Sequence, residues 1–450
     1  MLPHGRLPMR SLKERFFQTV HRAARGLNAL FQKLPDRRQA GKVKYPVPDL
    51  LWMGVLMFVL KLGSRRRINY KFNTAEFREN LNRITDTVQE RVANSGTLND
   101  LLLQMPPESL ATVPSQLVRH LLRQRKLEKG RLLGRWYLFV FDATGTYSFP
   151  ERHCDHCLTQ TDTIQTPDGK TAEKTTYYHL VLEVKLVTPS GLALSVLSDF
   201  IENPGPNPDV QDCELTAFYR LAPKLKALFQ NLPICVLGDS LYGCGPVAEL
   251  CQKYNWKYIL TFKESRLPCV AREYQTLRKL LNNKNHLLHK EDKLQQEFWW
   301  VNDIDHDSRK LNILECQETR GKESHHFAWI TNIWIAKPNA ATLANEGGRQ
   351  RWKIDNQGFN TQKNGGYALE HAYSRDPQAM KNYYLLLQLA HFLNQIMEYA
   401  HWLKPIIRKF YGSLRGFTEQ LLEELRRSAT TPNQYQAVLH DGFQIRLDTS

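Results

Sequence analysis

The segment that most constrains this chain is Trp136 to Gly145, WYLFVFDATG, in which an unbroken apolar run from Trp136 to Phe141 meets Asp142. A short run rich in β-branched and aromatic residues predicts a strand buried on both faces. A carboxylate closing such a strand is costly unless it is paired, protonated or bound to metal. By itself Asp142 has two readings, a turn residue ahead of Ala-Thr-Gly or a functional acid. Leu232 to Gly243, LPICVLGDSLYG, repeats the pattern: the run Ile234 to Leu237 delivers Asp239 into a Gly-rich turn. Two buried strands that each present an acid can set both on one sheet edge, where ligands of open α/β sheets bind. Such a pair is a natural seat for a hard divalent cation such as Mg²⁺.

Around these strands the hydrophobic pattern predicts an ordered series. Tyr177 to Val187 and Leu192 to Ile201 read as strands joined into a hairpin through Thr188 to Gly191. Asp209 to Gln230 has helical periodicity, Pro246 to Tyr254 reads as a helix, and Lys257 to Phe262 as a fifth strand. The polar stretch Thr144 to Thr176 reads as a loop. An antiparallel hairpin added to parallel strands is the pattern of a ribonuclease-H-like mixed sheet, in an α/β fold. There the first and fourth strands are neighbours, which would bring Asp142 and Asp239 together.

The expected organisation has five parts: a helical, basic N-terminal region (1–130), the first part of the core (131–265), an inserted, partly β region (266–340), the second part of the core (341–403) and a helical C-terminal tail (404–450). Within the insertion, Arg272 to Lys293 reads as helical, and Glu297 to Val301, Lys310 to Glu315 and His326 to Ile333 as strands. Asp303, Asp305 and Asp307 read as a charged hairpin turn, since the Gly and closing Glu of a calcium loop are missing. Asp376-Pro377 predicts a helix start, Asp as N-cap and Pro at the first helical position, for a buried helix to Leu403.

Charge points to the partner. The chain has 61 Lys and Arg against 45 Asp and Glu, a formal net charge of +16. Most of the excess lies in two stretches, Met1 to Tyr45 and Leu117 to Arg135. Clustered cations ahead of the acidic strands favour a nucleic-acid partner, because phosphate neutralisation needs many cations on one surface. A membrane is not expected: Leu50 to Leu60 is too short to span and reads as a buried core helix capped by Asp49. The basic N-terminus is followed by no apolar signal-peptide core, and eight scattered cysteines suit a reducing compartment, so the expected location is cytoplasmic. Cys154 and Cys157 have zinc-ligand spacing, with His153, His156 or His179 available to complete a site. Two ordinary reduced cysteines are the plainer reading, and the choice stays open.

The stretch Arg349 to Lys363, RQRWKIDNQGFNTQK, is basic, aromatic and amide-rich. As a helix it sets Arg351 and Phe359 one turn either side of Asp355. A surface helix with an Arg351–Asp355 pair would satisfy that spacing. If the helix lands beside the two acidic strands, Asp355 becomes a third metal-facing acid, with Arg349, Arg351 and Lys353 as cations for a phosphate-bearing substrate. Glu346 and Glu370 are the other candidates for that acid.

Three motifs together, FDATG at Asp142, LGDSLYG at Asp239 and RWKIDNQGFNTQKNGGYALEHAY from Arg351 to Tyr373, resemble the DDE transposases of bacterial insertion sequences. The likeness extends over about residues 45 to 400, and PDLLWMGVLMFVLKLGSRR and CDHCLTQ resemble one branch of that family. The resemblance implies that Asp142, Asp239 and Asp355 bind two divalent ions, Mg²⁺ or Mn²⁺, that Arg351 holds backbone phosphate, and that Lys363 also meets DNA. It implies cutting and joining of DNA at the element's ends, by a homodimer on DNA, in a bacterial cytoplasm at the nucleoid. The alternatives are an inactive, transposase-derived DNA-binding protein and a metal-dependent nuclease or resolvase. Three positions depart from the family, the first being Lys363, which lies one place later than the family's Lys. Asp355 stands where Glu is usual, and its carboxylate is shorter by about one C–C bond, ~1.5 Å. Gly348 stands where a Tyr is expected.

Overall fold

A computed structural model describes residues 10–206, 208–281, 284–307, 309–441 and 445–449. The first nine residues of the basic N-terminal stretch lie outside the described residues, as does the end of the C-terminal tail. Six strands form the central part of the sheet: β1 (Tyr137–Phe149), β2 (Leu158–Gln165), β3 (Thr171–Val187), β4 (Ala193–Ile201), β5 (Ile234–Gly238) and β6 (Lys257–Thr261). β1 pairs antiparallel with β3 and parallel with β5, β3 pairs antiparallel with β4, and β5 pairs parallel with β6. The expected β3–β4 hairpin and the expected β1–β5 adjacency are both present.

Two expectations about this part are corrected. β1 does not stop at Asp142 but runs seven residues further, to Phe149, paired along β3. Most of the stretch read as a loop is likewise strand, because β2 pairs with the first half of β3, from Leu158 opposite Tyr178 to Gln165 opposite Thr171. β2 is exposed beyond its first residues. A Thr-rich strand with no buried face has no hydrophobic alternation to betray it, although threonine favours extended backbone.

The inserted region joins the same sheet. β7 (His286–Glu291), β8 (Leu294–His306), β9 (Arg309–Arg320) and β10 (Glu323–Thr331) form an antiparallel series, and β10 pairs antiparallel with β6. Among the described residues, these ten strands thus make one mixed sheet. The helix in this region is Pro268–Leu281, shorter than expected, and His286–Glu291 is an edge strand turned back at Asp292, whose φ is +49°. The three aspartates do flank a hairpin turn, with Asp305 and Lys310 paired at 2.8 Å.

Helices pack the remaining surfaces. Pro377–Tyr399 is buried over most of its length, and Asp376 caps it by accepting from the Ala379 N–H at 2.8 Å. It ends at Tyr399, four residues before the expected Leu403. Against it lies Val47–Val59, buried throughout as expected, where a Cβ on Gly54 would come within 2.7 Å of Leu386. Asp49 is not its cap: Pro46 holds that position, and Asp49 sits in the first turn, accepting from Thr87 Oγ1 at 2.9 Å. Pro48 in the first turn favours this earlier start. The helix Leu12–Ala23 meets the C-terminal helices, with Phe17 and Tyr435 edge to face at 5.2 Å. Among the described residues no helix is long and apolar enough to cross a membrane.

One polar cluster crosses the core. Glu183 and Lys185 on β3 are fully buried, 3.2 Å apart. Glu183 also accepts from Ser195 and Tyr384, each at 2.8 Å, and from Ser198. Lys185 donates to Gln388 Oε1 at 2.8 Å, and Gln388 and His391 both engage Gln362. Every charge there has a partner, as burial requires.

Candidate active site

The site begins with register. Val140 of β1 stands opposite Leu237 of β5 in a parallel pair, and two residues further along each chain come Asp142 and Asp239. Parallel strands advance together, so both acids arrive at the same level of the sheet. Asp142 is still within β1, its side chain 15% exposed, while Asp239 lies just past the end of β5. There Asp239 Oδ1 accepts from the Leu241 N–H at 2.7 Å, an Asx-type bond that sets the turn.

Asp355 reaches the same place from an irregular helical run between Ala340 and Asn364. Leu343–Gly347 and Ile354–Asn360 are wound as wide π-turns, and Gly348–Arg351 as a tight 3₁₀ turn. Changes of winding of this sort often accompany functional sites. The run lies close over β6 and β10: a Cβ on Gly347 would come within 2.6 Å of Ile259, and one on Gly348 would overlap the Trp329 indole. Trp329 thus fills the space that any side chain at 348 needs. On the same run, Gly358 and Phe359 pack on the Lys185 side chain.

Arg351 joins two of the acids. Its Nη1 lies 3.1 Å from Asp142 Oδ2 and its Nη2 2.9 Å from Asp355 Oδ2. Burial first, and then the neighbouring Asp355, push the Asp142 carboxyl up to about 8, against the opposing pull of Arg351. One guanidinium thus leaves the acids under-neutralised.

A fourth carboxylate, Glu214, was not among the sequence candidates. It opens the helix Glu214–Leu228, accepts from Tyr242 Oη at 2.6 Å, and is held above the usual range by burial and by Asp239. Glu214 in turn acts on Asp142. In sequence it is only an acid in a helix's first turn, where the helix dipole explains it. Its approach to the two aspartates depends on where that helix enters between β4 and β5.

The other candidates fall in different places. Glu346 is exposed, and Glu370 pairs with Lys363 at 2.8 Å, so of the three candidates for the third acid only Asp355 meets Asp142's partner. Arg349 is committed to Glu318 of β9 and stacks over Phe327 at 4.7 Å. Lys353 is half-buried, which lowers its pKa, and pairs with no acid among the described residues.

No protein-family model matches the chain, and no curated protein matches it. Among solved structures it is similar to the piggyBac transposase in a synaptic complex with hairpin DNA. That match has a TM-score of 0.39 and 10% sequence identity, and covers 95% of this chain and 84% of that one.

Proposed function

We propose that this chain is a DDE-type transposase on a ribonuclease-H-like core, which cuts and joins double-stranded DNA at the ends of a bacterial insertion sequence. The carrying observation is the arrival of Asp142 and Asp239 at one level of adjacent parallel strands, with Asp355 drawn to Asp142 through Arg351. The strand order β4-β3-β1-β5-β6 supports the core assignment.

The donor set suits divalent metal. Asp142, Asp239 and Asp355 offer hard oxygen ligands, and the raised Asp142 pKa marks a buried acid short of compensation. Asp142, Asp239 and Asp355 would together hold two Mg²⁺ or Mn²⁺ ions. When bound, such ions supply an activated water or 3′-hydroxyl nucleophile and stabilise the leaving oxygen. Arg351, which pairs with Asp142 and Asp355, carries a planar fork suited to a backbone phosphate. Glu214, braced by Tyr242, adds negative charge beside Asp239 and Asp142. Lys353 and Lys363 lie on the same helical run and would meet flanking phosphates. The reading implies a homodimer on DNA, in the bacterial cytoplasm at the nucleoid.

The test is an end-cleavage and strand-transfer assay on DNA carrying the inverted repeats that flank the gene, with Mg²⁺. Cleavage and joining by the wild type, lost in Asp142→Asn, Asp239→Asn and Asp355→Asn, is the expected result. Hydrolysis without joined product would replace this reading with a nuclease or resolvase. A silent wild type that still binds the ends would leave a DNA-binding protein.

A further inference from the structure

We propose that His153, Cys154, Cys157 and His179 form a structural Zn²⁺ site, separate from the carboxylates, that fastens the β1–β2 connection to β3. The four side chains converge so that one ligand atom from each lies within 4.8 Å of all the others. Cys154 Sγ is 3.5 Å from Cys157 Sγ and 3.5 Å from His179 Nε2. Cys157 Sγ is 3.3 Å from His153 Nδ1 and 3.6 Å from His179 Nε2. A tetrahedron with Zn–S of about 2.3 Å and Zn–N of about 2.0 Å has S–S edges near ~3.8 Å and S–N edges near ~3.5 Å. The four S–S and S–N edges above match that cage within a few tenths of an ångström. The sulfurs stand well beyond disulfide length, about 2.05 Å.

Two further contacts select the ligands. His156 is turned away, its Nδ1 2.9 Å from the Asn203 carbonyl, which leaves His153 and His179 of the three histidines considered. His179 presents Nε2 to the sulfurs while its Nδ1 faces Glu202 Oε1 at 4.0 Å, and Glu202 is itself held by Lys381 Nζ at 2.5 Å. A carboxylate on the far side of the imidazole, here beyond direct hydrogen-bond reach, favours the tautomer that leaves Nε2 free for a metal. Cys157 and His179 are buried, and His153 packs on Phe149 with ring centroids 4.3 Å apart. Four protein ligands leave no open position, which fits a structural rather than a catalytic ion. The site stands at the root of the β2–β3 ribbon and, through Glu202 and Lys381, is tied to the helix Pro377–Tyr399.

The experiment measures zinc in the purified full chain by mass spectrometry, then exchanges it for Co²⁺ and records the absorption spectrum. Expected are about one zinc per chain and the thiolate-to-cobalt and tetrahedral d–d bands of a Cys₂His₂ site. His156→Gln and Asp142→Asn should keep both. Cys157→Ser should lose the metal, and Cys154→His should keep it with the thiolate band roughly halved, since one of two sulfurs remains. A wild-type chain without zinc and without a thiolate band on Co²⁺ addition would overturn the proposal, even if the variants fail to fold. So would a Cys154–Cys157 disulfide in protein purified without reductant, or metal content indifferent to both cysteine substitutions.

Discussion

Arg351 Nη2 lies 2.9 Å from Asp355 Oδ2, and the same guanidinium reaches Asp142 through its other terminal nitrogen. A side chain that bridges two acids competes with any cation those acids would bind. Arg351→Ala should therefore tighten divalent-ion binding to the DNA-free protein, by about 10-fold for a change of ~1.4 kcal/mol, while weakening end binding and cleavage. Calorimetric Mn²⁺ titration beside a cleavage assay checks it. Looser Mn²⁺ binding in the variant would contradict the competition.

The raised Asp142 pKa gives a pH dependence with a definite sign. Its folded value of about 8 lies above the ordinary 3.8, so between them the folded state holds a proton that the unfolded state has lost. Stability must then fall as pH rises across that window, and the loss is complete above it. In chelator, the wild-type melting temperature should decline from pH 5 to pH 8 more steeply than that of Asp142→Asn. Parallel profiles would show that Asp142 ionises freely.

Glu214 acts through its neighbours rather than as a named member of the acid triad. Glu214→Gln should lower divalent-ion affinity or cleavage rate by about 10–100-fold, the usual effect of losing a supporting group around a metal site. Raising the Mn²⁺ concentration should recover part of the rate. An unchanged metal dependence would reduce Glu214 to a partner of Tyr242.

Gly348 and Trp329 compete for one space. Gly348→Ala should destabilise the fold by about 1–3 kcal/mol through overpacking, read by urea denaturation. Trp329→Leu in the same chain should relieve part of that cost, a coupling that a double-mutant cycle isolates.

Arg349 and Lys353 should separate by salt. Lys353→Ala should weaken DNA binding across sequences and lower the slope of affinity against salt by about 1. Arg349→Ala should cost stability instead, because Glu318 loses its partner. Equal salt slopes for the two variants would count against this division.

Local, periodic features of the chain were legible before folding was considered. The runs before Asp142 and Asp239 read as buried strands, Asp376-Pro377 as a helix start, and Leu50 to Leu60 as a buried helix, and each is found so. The spacing of Arg351 and Asp355 likewise paired them on one helical face. Tertiary structure decided what sequence periodicity cannot carry. The register of β1 on β5 levelled two acids far apart in the chain, and a helix entering between β4 and β5 brought Glu214 to them. β2 was invisible because neither of its faces is buried, and the insertion's membership of the sheet rests on hydrogen bonds between β6 and β10 that leave no mark in either strand's own pattern. The choice among His153, His156 and His179 waited on the fold of the β1–β2 connection, since all three have suitable chemistry and only two point at the sulfurs. Composition and spacing specify what each segment buries; which segments meet is set by long-range packing and backbone pairing.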